Sequence, residues 1–325
     1  MSRIKGIDAA KAFAIVLVVF GHVLAGATSS EAIPHTMLFD QIYNAIYLFH
    51  MPFFFLLSGY VFSGLKRTPG DFARNITIRL AYPYLLWGAL LVAFKLISIA
   101  GNVHVNVPVT SFDFIRLAYK PVSPFWFLYA LLWIQIVARI LLPRIGARGL
   151  LLFSCVTFAC SFALEPFGEA IRNTPLFLLF FAAGYVMSEK QVLSRIRSSI
   201  MWASLVGFVV LESLCVALSV QYSTPIGRVA GLLLAILLAI AFCNPGTTFL
   251  HGKWILFVGQ STLVIYCVHI ELTSLTRVIC TKIGLGSIFS QLTIGTLVGV
   301  CVPLLFYVVL RRLKVAKWFG FPQTI

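Results

Sequence analysis

An all-α polytopic membrane protein of about ten transmembrane helices, with both termini cytoplasmic, is the fold class this sequence predicts, on three observations. Apolar and aromatic residues make up 60% of the 325 residues, whereas Asp, Glu, Lys and Arg make up only 11%, against about 25% in an average soluble domain. Mean hydropathy is +0.97. The apolar residues also collect into runs of about 20, the length a helix needs to cross a hydrocarbon core of about 30 Å. The net charge of +15 would suggest a nucleic-acid partner in a soluble chain. Here the basic residues fall between the apolar runs, so the expected partner is membrane lipid and not nucleic acid.

Ten runs qualify, in the order 9–27, 38–63, 80–100, 124–143, 149–166, 173–188, 199–220, 226–243, 253–271 and 288–310. The first follows MSRIK and imitates a secretory signal peptide, but it is long enough to span and carries Lys11 and His22, which a cleaved leader does not need. The second contains IYLFHMPFFFLLSGY, a histidine and a proline in the middle of an apolar stretch. The third is preceded by the basic stretch KRTPGDFARNITIR, the fourth and fifth are separated by Arg144 and Arg148, and the sixth is short. The ninth ends in STLVIYCVHIEL, and the tenth is followed by Arg311, Arg312, Lys314 and Lys317. No stretch between runs is long enough for a soluble domain, so residues 1–325 read as one membrane domain.

Charge sets the orientation. With the N-terminus inside, seventeen Lys and Arg fall on the inner side, and only Arg116, Lys120, Arg172, Arg228, Arg277 and Lys282 fall outside, with Lys11 and Lys95 inside spans. Cytoplasmic loops carry such an excess. An even number of spans preserves this bias and an odd number scrambles it. The seven cysteines lie scattered in apolar runs with no C-x-x-C pair; they are expected to be packing residues, and no metal site is expected.

Ionisable residues inside a bilayer cost at least ~2.5 kcal/mol each on insertion scales, so they are functional candidates. Lys11 and His22 are eleven residues apart, about three full helical turns, and share one helix face about 16 Å apart along the axis. Lys11 reads either as a snorkelling interfacial lysine or as part of a site; His22 lies deeper, where snorkelling is harder. His50 returns to the depth of His22, and Pro52 cannot donate to the carbonyl of Leu48, so a kink and a freed acceptor are expected beside the histidine. Phe53, Phe54 and Phe55 read as ordinary lipid-facing packing, while Ser58 and Gly59 permit close helix approach. His269 and Glu271 fall near the outer end of the ninth run, either as an interfacial pair or as part of a polar pocket. Lys66, Arg67, Arg74 and Arg79 lie on the inner side, where they can hold phosphates or anionic lipid.

Several familiar signatures are missing or incomplete. HTMLFD places His35 and Asp40 at the H-x4-D spacing of glycerolipid acyltransferases, but the other motifs of those soluble folds are absent. No phosphate-binding G-x-x-x-x-G-K-[ST] loop, G-x-S-x-G elbow or H-E-x-x-H helix occurs, which argues against an ATP-driven pump, a serine hydrolase of that fold and a zinc protease.

IDAAKAFAIVLVVFGHV, FHMPFFFLLSGYVF, RNITIRLAYPYLLW, PFWFLYALLW, LFLLFFAAGYVMS and GQSTLVIYCVHIEL, in this order along the chain, together resemble the acyltransferase-3 family of bacterial membrane acyltransferases. The resemblance is greatest to the branch of fucose 4-O-acetylase-like proteins and of exopolysaccharide or enterobacterial common antigen acetylases. It implies an inner-membrane O-acyltransferase that takes an acyl group, usually acetyl, from acyl-CoA on the cytoplasmic side and places it on a hydroxyl of a surface or secreted glycan, or of a lipid-linked sugar. It maps an essential basic residue and histidine onto Lys11 and His22. Many members have arginine at the first of these positions, and lysine here replaces a bidentate fork with a point charge. Some members carry an additional soluble esterase-like domain that this sequence lacks, so transfer is expected to finish within the membrane domain or through a separate partner.

The expected roles follow. His22 is the general base, Lys11 contacts the donor or the developing charge, and His50 orients His22 or the acceptor. Lys66, Arg67, Arg74 and Arg79 hold the phosphates of acetyl-CoA. His269, Glu271 and Trp126 face the acceptor. The alternative is a transporter of a glycan precursor or metabolite in which His22 and His50 relay protons.

Overall fold

The computed structural model describes residues 4–29, 36–102, 105, 107–243 and 251–323, and among them no β-strand occurs. The order is α1 (Lys5–Ser29), α2 (Met37–Tyr60), α3 (Pro69–Ile76), a π-helical turn at Thr77–Ala81, α4 (Tyr82–Ala100), α5 (Asp113–Arg116), α6 (Trp126–Ser161), α7 (Glu169–Glu189), α8 (Val192–Arg195), α9 (Ser198–Ala217), α10 (Pro225–Cys243), α11 (Lys253–Gln260), α12 (Thr262–Lys282) and α13 (Ile288–Arg312). Eight stretches of the described chain are long and apolar enough to cross a membrane, with 126–164 counted once and α7 not among them.

The stretch 126–164 is not one rod. Gly146 has φ 65° and ψ −179°, a conformation open to glycine and strained for other residues. A straight helix would put Trp126 and Thr157 about 46 Å apart. Both instead meet the start of α7: the Trp126 ring is 5.3 Å from that of Phe177, and the Thr157 hydroxyl donates to the Pro175 carbonyl at 3.4 Å. The chain therefore turns back at Gly146, as the separate runs 124–143 and 149–166 anticipate. With the two limbs taken apart and α7 included, ten apolar helical segments follow one another in the order of the ten runs.

Helix α1 is enclosed: it touches α2, α10, α11, α12 and α13, and Ala10, Ala14 and Val19 are fully buried. Helix α2 is packed from Asn44 to Tyr60, and its phenylalanines correct one expectation. Phe53 and Phe55 are fully buried, with Phe55 stacked on Phe177 at 4.5 Å, so they form core and not lipid-facing surface. The carbonyl that Pro52 leaves without a donor does not face His50. A Cβ on Gly231 would lie 2.2 Å from the Leu48 oxygen, so that carbonyl rests against the backbone of α10, where only glycine lets a Cα–H reach it.

Three boundaries depart from the sequence expectation. The ninth run divides at Ser261, and α12 continues eleven residues past Glu271. Its polar continuation is tolerated because the hydroxyls of Thr273, Thr276 and Thr281 donate back to carbonyls three or four residues earlier. His269 and Glu271 are therefore mid-helix and not at a helix end. The sixth run is a 21-residue helix with a buried face of Phe177, Phe180 and Phe181. After α13 the chain hooks back: Trp87 Nε1 donates to the Phe319 carbonyl at 2.9 Å, and Tyr307 donates to that of Pro322 at 2.8 Å. All seven cysteines are free, but Cys155, Cys160 and Cys301 are exposed and do not pack the interior as expected. Of the acyltransferase-like pair, His35 lies outside the described residues, and Asp40 occupies the first turn of α2.

The loop between α4 and α6 is pinned to the bundle. Tyr84 donates to the Leu117 carbonyl at 2.5 Å, and the Thr110 N–H donates to Asp113 at 2.7 Å. That bond, helped by Arg116 and opposed by partial burial, holds the Asp113 carboxyl below its usual 3.8. A carboxyl lowered by folding stabilises the folded loop above the unfolded value, and that contribution disappears as pH falls through the folded value. Amide protection across residues 107–119, corrected for intrinsic exchange and read by mass spectrometry, should therefore fall as pH drops below 3.8. Asp113→Asn should show the lower protection already at neutral pH.

Candidate active site

Of the residues singled out in the sequence, His22, His50 and Trp126 line one cavity and Arg67 and Arg79 another, at opposite ends of α2. The larger, about 620 Å³, is lined by His22 of α1, Tyr43, Tyr47 and His50 of α2, Trp126 of α6, and residues from α4, α7, α10, α12 and α13. Tyr43, Tyr47 and His50 are at i, i+4 and i+7, a single stripe along one helix face. The smaller, about 170 Å³, is lined by Ser58, Ser63, Arg67, Asn75, Arg79 and Gln135 among others. Ser58 lies about 12 Å beyond His50 along the helix axis, and Phe55, Leu56 and Leu57, all fully buried, fill the helix between.

His22 and His50 line the larger cavity, and the fully buried His269 packs behind His22. The His22 and His269 rings are 5.2 Å apart. Tyr47 lies 6.4 Å from His22 and 4.5 Å from His50, so its ring adjoins both histidines, which line the same cavity, and His269 packs directly against His22. His50 Nδ1 is 2.6 Å from the Ile46 carbonyl, and His269 Nδ1 is 2.9 Å from those of Ile265 and Tyr266. Carbonyls only accept, so each Nδ1 carries the proton in the neutral ring, and each Nε2 keeps its lone pair. His50 and His269 are 2% and 0% exposed, whereas His22 is half-buried and open to the cavity. Among the described residues no three His, Cys, Asp or Glu side chains are arranged to hold a metal ion.

Other expected residues are placed elsewhere. Lys11 is half-buried, lines neither cavity, and lies within electrostatic reach of Cys243 on α10. Glu271 does not pair with His269; its charge is felt by Lys95. Of the four inner cations, Arg67 and the exposed Arg79 line the smaller cavity, while Lys66 and Arg74, also exposed, line neither cavity. Arg79 lies within the π-helical turn at Thr77–Ala81, a widened turn of the kind that often marks functional positions.

Sequence reasoning missed the cationic wall. Lys95, Arg172, Arg228 and Arg277 line the larger cavity. Arg228 is 7% exposed, and its guanidinium is 5.2 Å from the Phe177 ring centroid and 5.5 Å from that of Tyr222. Asn44 fixes the adjoining loop: its Nδ2 donates to the Val220 carbonyl at 2.7 Å, and its Oδ1 accepts from the Tyr222 N–H at 2.8 Å. Arg172, Arg228 and Arg277 share no spacing, and each lies near a helix end, so each alone reads as a topology signal. The stripe of Tyr43, Tyr47 and His50 was, by contrast, visible as a pattern.

Comparison with known proteins adds the following. Residues 4–308 match the family described as "Acyltransferase domain". Nodulation protein NolL of Sinorhizobium fredii (strain NBRC 101917 / NGR234) is 30% identical over 190 residues, 56% of this chain and 48% of that protein. Nodulation protein NolL of Mesorhizobium japonicum (strain LMG 29417 / CECT 9101 / MAFF 303099) is 26% identical over 193 residues, 58% of this chain and 48% of that protein. The matches thus span about half the length of these curated relatives. No solved structure matches the chain.

Proposed function

The chain belongs to the acyltransferase-domain family, matched over residues 4–308, and from that premise we propose that it moves an acyl group, acetyl in the first instance, from acyl-CoA to a hydroxyl of a surface or secreted glycan at the inner membrane. The observation that carries this reading is the larger cavity, where His22 is open to an interior lined by tyrosines and arginines. In this reading neutral His22 takes the proton of the acceptor hydroxyl as its oxygen bonds to the thioester carbon. The C–S bond then breaks, and the thiolate receives the proton back from His22, leaving an ester and the CoA thiol. The His269 ring packed against His22 supports its orientation. Lys11 acts only through its charge, from the contact of α1 with α10.

The donor enters from the end that carries Arg67 and Arg79. Both line a cavity that also presents the amides of Asn75 and Gln135, and guanidinium matches phosphate bidentately. A hydrogen bond to a charged group contributes about 1.5–3 kcal/mol. Arg67→Gln or Arg79→Gln should therefore raise KM for acetyl-CoA roughly 10-fold or more with little change in kcat. The test of the function is ester formation from labelled acetyl-CoA by the purified protein in liposomes, with glycans of the source cell as acceptor. Solute movement across the liposome without ester formation would sink the acyltransferase reading and leave a transporter.

A further inference from the structure

Arg67 and Arg79 line the smaller cavity and His22 the larger, so a CoA whose phosphates rest on the arginines must pass its acyl end from one to the other. Helices α2 and α6 border both cavities. On α2, Met51 lines the larger and Ser58 the smaller, seven residues and about 10 Å apart on one helix face. Between them on that face stand Phe54 and Phe55, which line neither cavity. On α6, Trp126 lines the larger cavity and Gln135 the smaller. Phe127 and Leu131 precede Gln135 at intervals of four residues and so share its face.

The rings of this layer meet at Phe127. Its centroid is 5.9 Å from that of Phe54, 4.8 Å from that of Phe55 and 5.7 Å from that of Tyr266, each pair edge to face. Tyr266, which lines the larger cavity, is anchored by its hydroxyl, which donates to the Pro124 carbonyl at 2.5 Å. Phe55 is fully buried and stacked on Phe177 at 4.5 Å, so it is anchored too. Phe54 and Phe127 are only half-buried. A ring that is not close-packed on every side can change rotamer without moving the backbone. The layer therefore has anchored rings on two sides of Phe127 and room beside Phe127 itself.

Resting on the acyltransferase reading, we propose that Phe127 closes a passage between the two cavities and turns aside to let the acyl end of CoA reach His22. The phosphates stay with Arg67 and Arg79, the amides of the pantetheine arm meet Ser58 and Gln135, and the thioester end lies along Phe54 and Phe55. With the ring closed, water in the smaller cavity is kept from the site of transfer, which protects the thioester there from hydrolysis.

The probe is an acyl-CoA whose short acyl group carries a diazirine, photolysed with the purified full-length protein in detergent without acceptor, and the labelled residues are read by mass spectrometry. No turnover is needed, so the result does not depend on ester formation. In wild type the label should fall in the larger cavity, on residues such as Tyr47, Met51 or Trp126. In Phe127→Trp, whose larger ring overfills the passage, label there should drop roughly 10-fold or more and move to Ser58, Val61 or Gln135. In Phe127→Ala it should stay in the larger cavity, and Arg79→Gln should lower the label in both. Label confined to the smaller cavity of wild type overturns the proposal and leaves the donor site standing, whereas label in neither cavity overturns both. Equal larger-cavity label in wild type and folded Phe127→Trp removes Phe127 from the passage and overturns the proposal. So does larger-cavity label undiminished in Arg79→Gln, because the donor would then enter by the mouth of that cavity. Since wild type alone can overturn it, a Phe127→Trp protein that fails to fold does not shield the proposal.

Discussion

His22→Ala is expected to lower acyl transfer by about 10²–10⁴-fold, the usual contribution of a positioned general base, while the protein remains inserted and keeps its affinity for acetyl-CoA. The expectation rests on how differently the three imidazoles are held. His50 and His269 each commit Nδ1 to backbone carbonyls of their own helix and are almost fully buried. His22 is held by ring contacts to Tyr47 and His269 and opens onto the cavity, so it alone combines reach into the cavity with a ring that no described hydrogen bond fixes. His50→Ala and His269→Ala should cost less than His22→Ala, and His269→Ala more than His50→Ala, because His269 touches His22 directly and His50 acts across Tyr47. The measurement is single-turnover ester formation from labelled acetyl-CoA, which separates chemistry from product release. Full activity in folded His22→Ala protein would remove His22 from the mechanism, and a larger loss in His50→Ala would move the base to His50.

How far the sequence led depended on whether a feature was local. Helix positions were legible because each apolar run reports its own burial, and the reversal at Gly146 was legible because Arg144 and Arg148 interrupt two runs. The continuation of α12 was not, because TSLTRVICTK looks like a loop by hydropathy and stays helical only through hydroxyls that satisfy themselves on the preceding turn. His22 and His50 were legible because an ionisable group in an apolar run is anomalous whatever surrounds it. The contact between His22 and His269 was not, since it joins residues 247 positions apart in sequence. Lys11 shows the limit of the helical-face argument: sharing a face of α1 with His22 does not place it in the same cavity, because α10 covers that end of the helix. The arginine wall was beyond reach for the same reason, as it is assembled by packing and not by spacing.

Gly184→Val should destabilise the protein more than any surface change, through the contact that sets α2 against α7. An ideal Cβ on Gly184 would lie 1.9 Å from the Leu56 carbonyl oxygen and 3.0 Å from the Tyr60 nitrogen, and one on Gly59 would lie 1.9 Å from the Phe181 carbonyl oxygen. Each helix thus places a glycine against the other's backbone, the close approach that small residues permit in membrane bundles. A side chain there cannot rotate away, because the obstruction is backbone, so the helices must separate by more than 1 Å. That separation would open the fully buried layer of Phe55 and Phe177, now stacked at 4.5 Å. Overpacking of a tight core typically costs about 1–3 kcal/mol, and here both helices also carry the cavity wall, with Tyr47 and His50 on α2 and Arg172 and Phe177 on α7. Gly184→Val and Gly59→Val should therefore lower the thermal midpoint in detergent and reduce acyl transfer together. Gly70→Ala, where a Cβ meets nothing within 4 Å, should leave both unchanged. Equal midpoints for Gly184→Val and Gly70→Ala would mean that the α2–α7 contact does not carry the fold.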